Sequence, residues 1–305
     1  MPKDLHELPK LRDSLSYLYV EHMRVEQEAS AITLYDKEGR VDVPVAALGV
    51  LMIGPGVSIT SAAVRTLVEN GCSIVWIGED GVRCYAQGMG ETRSAGHILR
   101  QARLLCHEET HMEVVWRMYE YRFGYRLDRS LSLNQVRGME GARMRDVYAR
   151  ESERTGVPWE GRRWGIGAWE RSDPINRAIS AANACLNGIC HAALVSGGYS
   201  TALGFIHVGR QLSFVYDVAD LYKTEITIPL AFDIVAESTE NVERRVRMRC
   251  REVFREHHLL SRILPDVDAI FDIPIPGGEI EAHEDEEGTF GIRLWSKLWE
   301  GNEAG

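Results

Sequence analysis

The chain has 305 residues, of which 45% are apolar and 26% charged, and a formal net charge of −10; this is ordinary globular usage with room for two domains. The opening residues include Lys3, Asp4, Glu7, Lys10, Arg12 and Asp13 and so lack the apolar centre of a secretory signal, which makes a cytoplasmic location the expectation. The most apolar stretch, 43–57, is broken by Pro44, Gly49, Gly54 and Pro55 and falls short of the roughly 20 residues that a membrane helix needs, so no membrane span is expected.

Residues up to about Gly90 read as short strands. The segments 15–20, 31–35 and 73–77 are rich in β-branched and aromatic residues and are separated by turn signals such as Asp36-Lys37-Glu38-Gly39 and Asp80-Gly81. One helix interrupts them over 61–69, with Thr60 as its N-cap and Asn70-Gly71 as its stop. After Gly88-Met89-Gly90 the pattern changes to long helical periods that run almost to Phe271. The spacing Ser132-Leu133-Asn134-Gln135 is that of a capping box and opens a helix that ends at Thr155-Gly156. Ser172-Asp173-Pro174 opens another, ending at Gly197-Gly198. The expected fold is α+β: a β-rich domain over 1–90, a larger all-helical domain over 91–278, and an acidic tail over 279–305 with an apolar end.

Charge is distributed unevenly. From Gly277 onward eight acidic residues face only Arg293 and Lys297, so the remainder is much closer to neutral and a nucleic-acid partner stays open. The basic residues there are mostly arginines in two groups: Arg137, Arg143, Arg145, Arg150, Arg154, Arg162 and Arg163, then Arg244, Arg245, Arg247, Arg249, Arg251 and Arg255. They suit bidentate phosphate contacts, or else pair with neighbouring glutamates on solvated helix faces. The six cysteines form no Cys-x-x-Cys pair and are expected reduced and mostly buried.

Four acidic or imidazole side chains stand out. Glu140 shares a helix face with Val136 and Met144 and needs a cation, either an arginine such as Arg137 or Arg143 or a metal. Gly138 and Gly141 beside it suggest a close approach by backbone or ligand. His207 lies in the apolar run Leu203-Gly204-Phe205-Ile206-His207-Val208-Gly209, as a hydrogen-bonded core residue or a ligand. In Ser213-Phe214-Val215-Tyr216-Asp217-Val218-Ala219-Asp220, Phe214, Val218 and Leu221 mark a buried stripe. Asp217 and Asp220 are either solvated or share a cation, with Lys223 in reach.

Three motifs together, Arg137-Gly138-Met139-Glu140-Gly141, Gly204-Phe205-Ile206-His207 and Leu212 through Asp220, resemble those of CRISPR-associated protein one, the spacer-acquisition integrase, particularly its subtype I-E branch. The resemblance runs up to about residue 265. It implies a β-rich domain followed by a helical catalytic domain, and a divalent metal, Mg²⁺ or Mn²⁺, on Glu140, His207 and Asp220, with Asp217 and Lys223 lining the site. It implies DNA contacts at Arg65, Arg83, Arg210, Arg244 and Arg247, and aromatic packing at Trp164 and Trp169. An aromatic wedge of the family is replaced here by His22.

The implied activity is joining of the 3′-OH ends of a spacer precursor to a CRISPR repeat. The implied partners are double-stranded DNA with 3′ single-stranded ends, CRISPR repeat DNA, CRISPR-associated protein two and a second copy of the chain in a homodimer. Two carboxylates and an imidazole suit such a metal. A nuclease in which water attacks, or a non-catalytic DNA scaffold, are the competing readings.

Overall fold

The computed structural model describes residues 17–28, 31–37, 39–78, 84–88, 95–162, 173–275, 283–284 and 290–291. Two small sheets form the N-terminal part. In the first, β1 (Tyr17–Val20), β5 (Val50–Ile53) and β7 (Ser73–Ile77) run parallel and β8 (Cys84–Gly88) pairs antiparallel on β7, in the order β1-β5-β7-β8. In the second, β2 (Arg24–Glu28), β3 (Ala31–Tyr35) and β4 (Arg40–Pro44) form an antiparallel meander, and β6 (Ser58–Ile59) joins β2 in parallel.

Helix α1 (Ser61–Glu69) starts at Thr60, whose hydroxyl accepts from the Ala63 amide at 3.2 Å, a cap that satisfies one of the helix's orphan donors. Its Ala63 and Leu67 pack with Val25, Ile32, Leu51 and Ile74 into a core between the sheets. Strands β5 and β7 carry unbroken apolar runs because both of their faces are covered. The second face, with Val50, Met52, Val75 and Ile77, packs on Ala192 of α5 (Pro174–Ser196) and so joins the two parts of the molecule.

From Gly96 to Phe271 the described residues are helices and connections. They comprise α2 (Gly96–Cys106), α3 (Glu108–Phe123), α4 (Leu133–Thr155), α5, α6 (Ser213–Ala219), a π-helical turn (Lys223–Thr227), α7 (Ile228–Glu237), α8 (Val242–Glu256) and α9 (Leu259–Phe271). The capping box that opens α4 forms as read: Ser132 accepts from the Gln135 amide and Gln135 accepts from the Ser132 amide. Asp173 caps α5 with Pro174 at its first turn.

Helix α5 is long and apolar enough to cross a membrane, yet most of its apolar window is buried. It is the axis of the core, with α6, α7, α8 and α9 around it, which explains why it is apolar apart from the stripe Asn176, Ser180, Asn183, Asn187 and His191. No disulfide links the described cysteines; Cys72, Cys185, Cys190 and Cys250 are buried, Cys84 half-buried and Cys106 exposed. Within the acidic tail, β9 (His283–Glu284) pairs antiparallel with β10 (Phe290–Gly291).

Candidate active site

Three helices and one loop converge at the end of α3. Arg122, in the last turn of α3, is buried, with only 4% of its side chain exposed. Its Nη1 lies 4.0 Å from Glu140 of α4 and its Nη2 3.5 Å from Asp220, the residue that closes α6. Nη2 also donates to the Asp217 carbonyl at 3.4 Å, and the guanidinium lies over the Tyr119 ring. Nε finds no hydrogen-bond partner among the described residues. A buried charge without its complement would be expensive, so the two carboxylates and this arginine form one electrostatic unit.

The other cations complete it. Arg143, one turn beyond Glu140 on α4, donates from Nε and Nη2 to both Glu140 oxygens at 2.7 and 2.9 Å, and from Nη1 to Thr224 at 3.3 Å. Lys223 pairs with Asp220 across one turn. Burial pushes the Asp220 carboxyl upward, but Lys223 and Arg122 outweigh it and hold the group below the usual carboxylate range. Glu140 therefore has the arginine partner that its spacing allowed, and Asp220 shares a cation as its spacing allowed.

Asp217 departs from both readings of its spacing. It is fully buried; its Oδ2 accepts from the amides of Phe205 and Ile206 at 2.6 and 3.0 Å, and its Oδ1 from the His207 amide at 2.9 Å. The same Oδ1 stands 2.7 Å from His207 Nδ1. A carboxylate that already accepts from three amides is an acceptor for the imidazole too, so Nδ1 carries the proton and Nε2 is the nitrogen with a free lone pair.

The loop is pinned from below. Gln101 of α2 donates to the carbonyls of Ser200 and Leu203 and accepts from the Ser200 amide, and His111 of α3 bonds the Phe205 carbonyl. At Gly204 a Cβ would overlap the His207 carbonyl oxygen and meet Ser213 Cβ at 2.7 Å, which accounts for glycine there. Gly138 and Gly141 differ: a Cβ at Gly138 meets nothing within 4 Å and at Gly141 only the Arg145 guanidinium at 3.7 Å. No backbone approaches them closely among the described residues, and the glycines leave the surface beside Glu140 open.

Among the described residues no three His, Cys, Asp or Glu side chains lie close enough together to hold a metal ion. The donor types nevertheless fit one. Two carboxylates meet at Arg122 and an imidazole beside Asp220 offers a free Nε2, its other nitrogen fixed by a buried acid. The two carboxylates now face the side-chain cations Arg122, Arg143 and Lys223 rather than packed apolar groups.

Arg122 carried no signal in the sequence, since it lies 18 residues from Glu140 on another helix. Tyr148 of α4, stacked on Trp159 at 4.3 Å, was also missed; burial pushes its phenol up despite Arg162, and Asp220 adds to the effect.

The arginines divide. Arg65 is exposed on α1, 4.0 Å from Glu69; Arg210 is exposed on the loop after His207, its amide donating to Ser213; Arg244 is exposed and Arg247 half-buried on α8. Arg245 and Arg249 of α8 are structural, the first bonding the carbonyls of Ile234 and Ser238, the second pairing with Glu252 and Glu256. Arg83, Trp164 and Trp169 lie outside the described residues. His22 sits exposed between β1 and β2 at φ 53°, its amide bonded to the Pro55 carbonyl at 2.9 Å.

The sequence also matches known proteins. A family model described as CRISPR associated protein Cas1 matches residues 17–123 and 121–247. A CRISPR-associated endonuclease Cas1 of Thermus thermophilus is 54% identical over 284 residues, covering 93% of this chain and 87% of that protein. The CRISPR-associated endonuclease Cas1 of Escherichia coli is 38% identical over 278 residues, 91% of this chain and 90% of that protein. Among solved structures, the TtCas1–DNA complex superposes with a TM-score of 0.79 at 55% identity, covering 87% of this chain and 99% of that one. A casposase bound to integration product shares the fold alone, at TM-score 0.52 and 13% identity. The strand-rich part, the helical part and the similarity over nine-tenths of the length place this chain in the CRISPR-associated Cas1 family.

Proposed function

We propose that the chain is the DNA endonuclease and integrase of CRISPR adaptation, joining the 3′-OH ends of a spacer precursor to repeat DNA by transesterification. The observation that carries the reading is the meeting of Glu140 and Asp220 at Arg122, with His207 within electrostatic reach of Asp220 and oriented by the buried Asp217. Its relatives named as endonucleases, and one solved with DNA, support it.

Glu140, Asp220 and the Nε2 of His207 would hold a divalent ion, Mg²⁺ or Mn²⁺, which when bound supplies Lewis-acid polarisation of a phosphate oxygen. The rest falls to the chain's own groups. Asp217 keeps the imidazole in one tautomer. Lys223 and Arg143, held beside the two carboxylates, bring positive charge to the phosphate as its charge builds. In the reaction a DNA 3′-oxygen bonds to phosphorus, the bond to the repeat's own 3′-oxygen breaks, and the attacking hydroxyl's proton is lost while the leaving oxygen gains one. The attacking 3′-hydroxyl is itself the nucleophile, so no side-chain nucleophile is required.

Arg65, Arg83, Arg210, Arg244 and Arg247 would contact the phosphates of a DNA duplex with single-stranded 3′ ends, and of the repeat. The protein would act as a homodimer in the cytoplasm with CRISPR-associated protein two, which the chain's C-terminal tail would engage by adding a strand to a sheet edge. The test is a strand-transfer assay on supercoiled plasmid with and without divalent metal. Joined products that depend on metal and on a free 3′-OH support the reading; nicking without joining identifies a nuclease in which water attacks; neither product leaves a DNA-binding scaffold.

A further inference from the structure

Asp220 and Lys223 flank the start of a π-helical turn, Lys223–Thr227. Such a turn has poorer geometry than an α-helix and persists where something outside it holds it. Here every polar side chain of the turn is tied elsewhere. Lys223 pairs with Asp220, Thr224 accepts from Arg143 of α4 at 3.3 Å, and Thr227 donates to Asn183 of α5 at 3.1 Å. Glu225 takes two N–H bonds from Arg262 of α9, at 3.0 and 3.2 Å.

The residue that opens the turn is held most firmly. Tyr222 is fully buried and donates at 2.8 Å to Asp266 Oδ2 on α9, the same oxygen that accepts from Tyr121 of α3 at 2.7 Å. Arg262 closes the circuit, with Nη2 3.4 Å from the Tyr121 hydroxyl, Nε 4.0 Å from Asp266 and its guanidinium 5.5 Å from the centre of the Tyr222 ring. Burial pushes both phenols upward, Tyr121 to about 12, so each keeps the proton that it donates. Tyr121 stands one residue before Arg122 on α3, so the circuit ties the π-turn to the helix that carries the central guanidinium.

We propose that Asp266 and Arg262 of α9 are positioning residues for strand transfer, acting through Tyr222, Tyr121 and Glu225 to fix the π-turn so that Lys223 and Asp220 face Glu140 and Arg122. Neither residue touches the reacting atoms. The inference rests on the reading of Glu140, His207 and Asp220 as the reacting centre. A shift of the turn by about an ångström suffices to slow a reaction that depends on alignment, on the order of a hundredfold in severe cases, while DNA held by arginines elsewhere remains bound.

The experiment measures single-turnover strand transfer at saturating DNA, DNA affinity by titration, and thermal unfolding, on the full chain with its partner and divalent metal. Asp266→Ala, which removes the shared acceptor, is expected to slow transfer about tenfold or more, with DNA affinity unchanged within about twofold. Asp266→Asn, which keeps an acceptor oxygen, should recover most of the rate. Glu225→Gln, which weakens the bonds from Arg262 without setting a like charge beside Asp266 or His257, should also slow transfer, by less than Asp266→Ala. If Asp266→Ala does not fold, Tyr222→Phe deletes the hydroxyl alone and is read in the same way.

A fall below threefold in folded Asp266→Ala, or in Tyr222→Phe where that variant stands in for it, overturns the proposal. So does a fall matched by weakened DNA binding or a reduced folded fraction, or an Asp266→Asn variant no faster than Asp266→Ala. Asp220→Ala is the reference: if it is inactive while the α9 variants act normally, only the positioning role fails. If it is active, the reaction-centre reading fails and the positioning role with it.

Discussion

Asp217 is surrounded by donors: three consecutive amides and the Nδ1–H of His207 meet its two oxygens, and no solvent reaches it. Asp217→Asn puts an amide N–H₂ against those donors and leaves buried groups unsatisfied, so it is expected to lower stability by roughly 1–3 kcal/mol and to release the imidazole from its tautomer. Asp220→Ala removes a carboxylate that is partly exposed and leaves every arginine in place. Strand transfer should vanish with DNA binding largely intact, and thermal unfolding should move less than in Asp217→Asn. Comparing the unfolding curves and transfer yields of the two variants separates the acid that orients from the acid that reacts; full activity of Asp220→Ala with Mn²⁺ present would contradict the assignment.

Helix α8 shows how a row of arginines divides its work. Its buried stripe, Val242, Val246, Cys250 and Phe254, recurs every fourth residue, which fixes one face on the core. Arg245 is folded back onto the carbonyls that end α7, whereas Arg244 projects to solvent. Arg245→Ala is therefore expected to destabilise the fold by about 1 kcal/mol, because the Ser238 carbonyl loses this donor and the Ile234 carbonyl keeps only the Ser238 amide at 3.3 Å. Arg244→Ala and Arg247→Ala should weaken DNA binding equally for unrelated sequences and flatten its dependence on log salt by about one unit for each phosphate no longer neutralised. Affinity titrations at several salt concentrations decide this, and a sequence-selective loss would show base reading instead. Elements set by local chemistry were legible in the sequence: Thr60 before α1, the Ser132–Gln135 box and Asp173-Pro174 all cap as their spacing implied. The strand order β1-β5-β7-β8 and the cradle of amides around Asp217 depend on residues distant in the chain or on backbone that folds back, and no period or motif announces them. For the same reason Glu140, His207 and Asp220 were legible as motif residues, while Arg122 beneath them was not.

At the scale of the molecule, the C-terminal end leaves from a fixed point. Arg100 of α2 binds the carbonyls of Phe271 and Ile273, and Arg117 of α3 those of Ala269, Ile270 and Asp272, which satisfies carbonyls that the end of α9 would otherwise leave without donors. All these bonds lie before residue 274, and Ile273 completes the helical core. We propose that the tail beyond Gly278 is a docking element rather than part of the fold. Its acidic run and the apolar residues Phe290, Ile292, Leu294, Trp295, Leu298 and Trp299 are the chemistry of a charged linker that ends in an anchor. Truncation after Gly278 is expected to leave a folded, dimeric protein whose unfolding temperature moves by no more than about 2 °C, the range of a surface change, and which no longer co-elutes with CRISPR-associated protein two. Size-exclusion chromatography of the mixed proteins reads the outcome. If the truncated chain still forms the complex at unchanged affinity, docking resides elsewhere on the helical part; if it aggregates, the tail covers the chain's own core and is not the docking element.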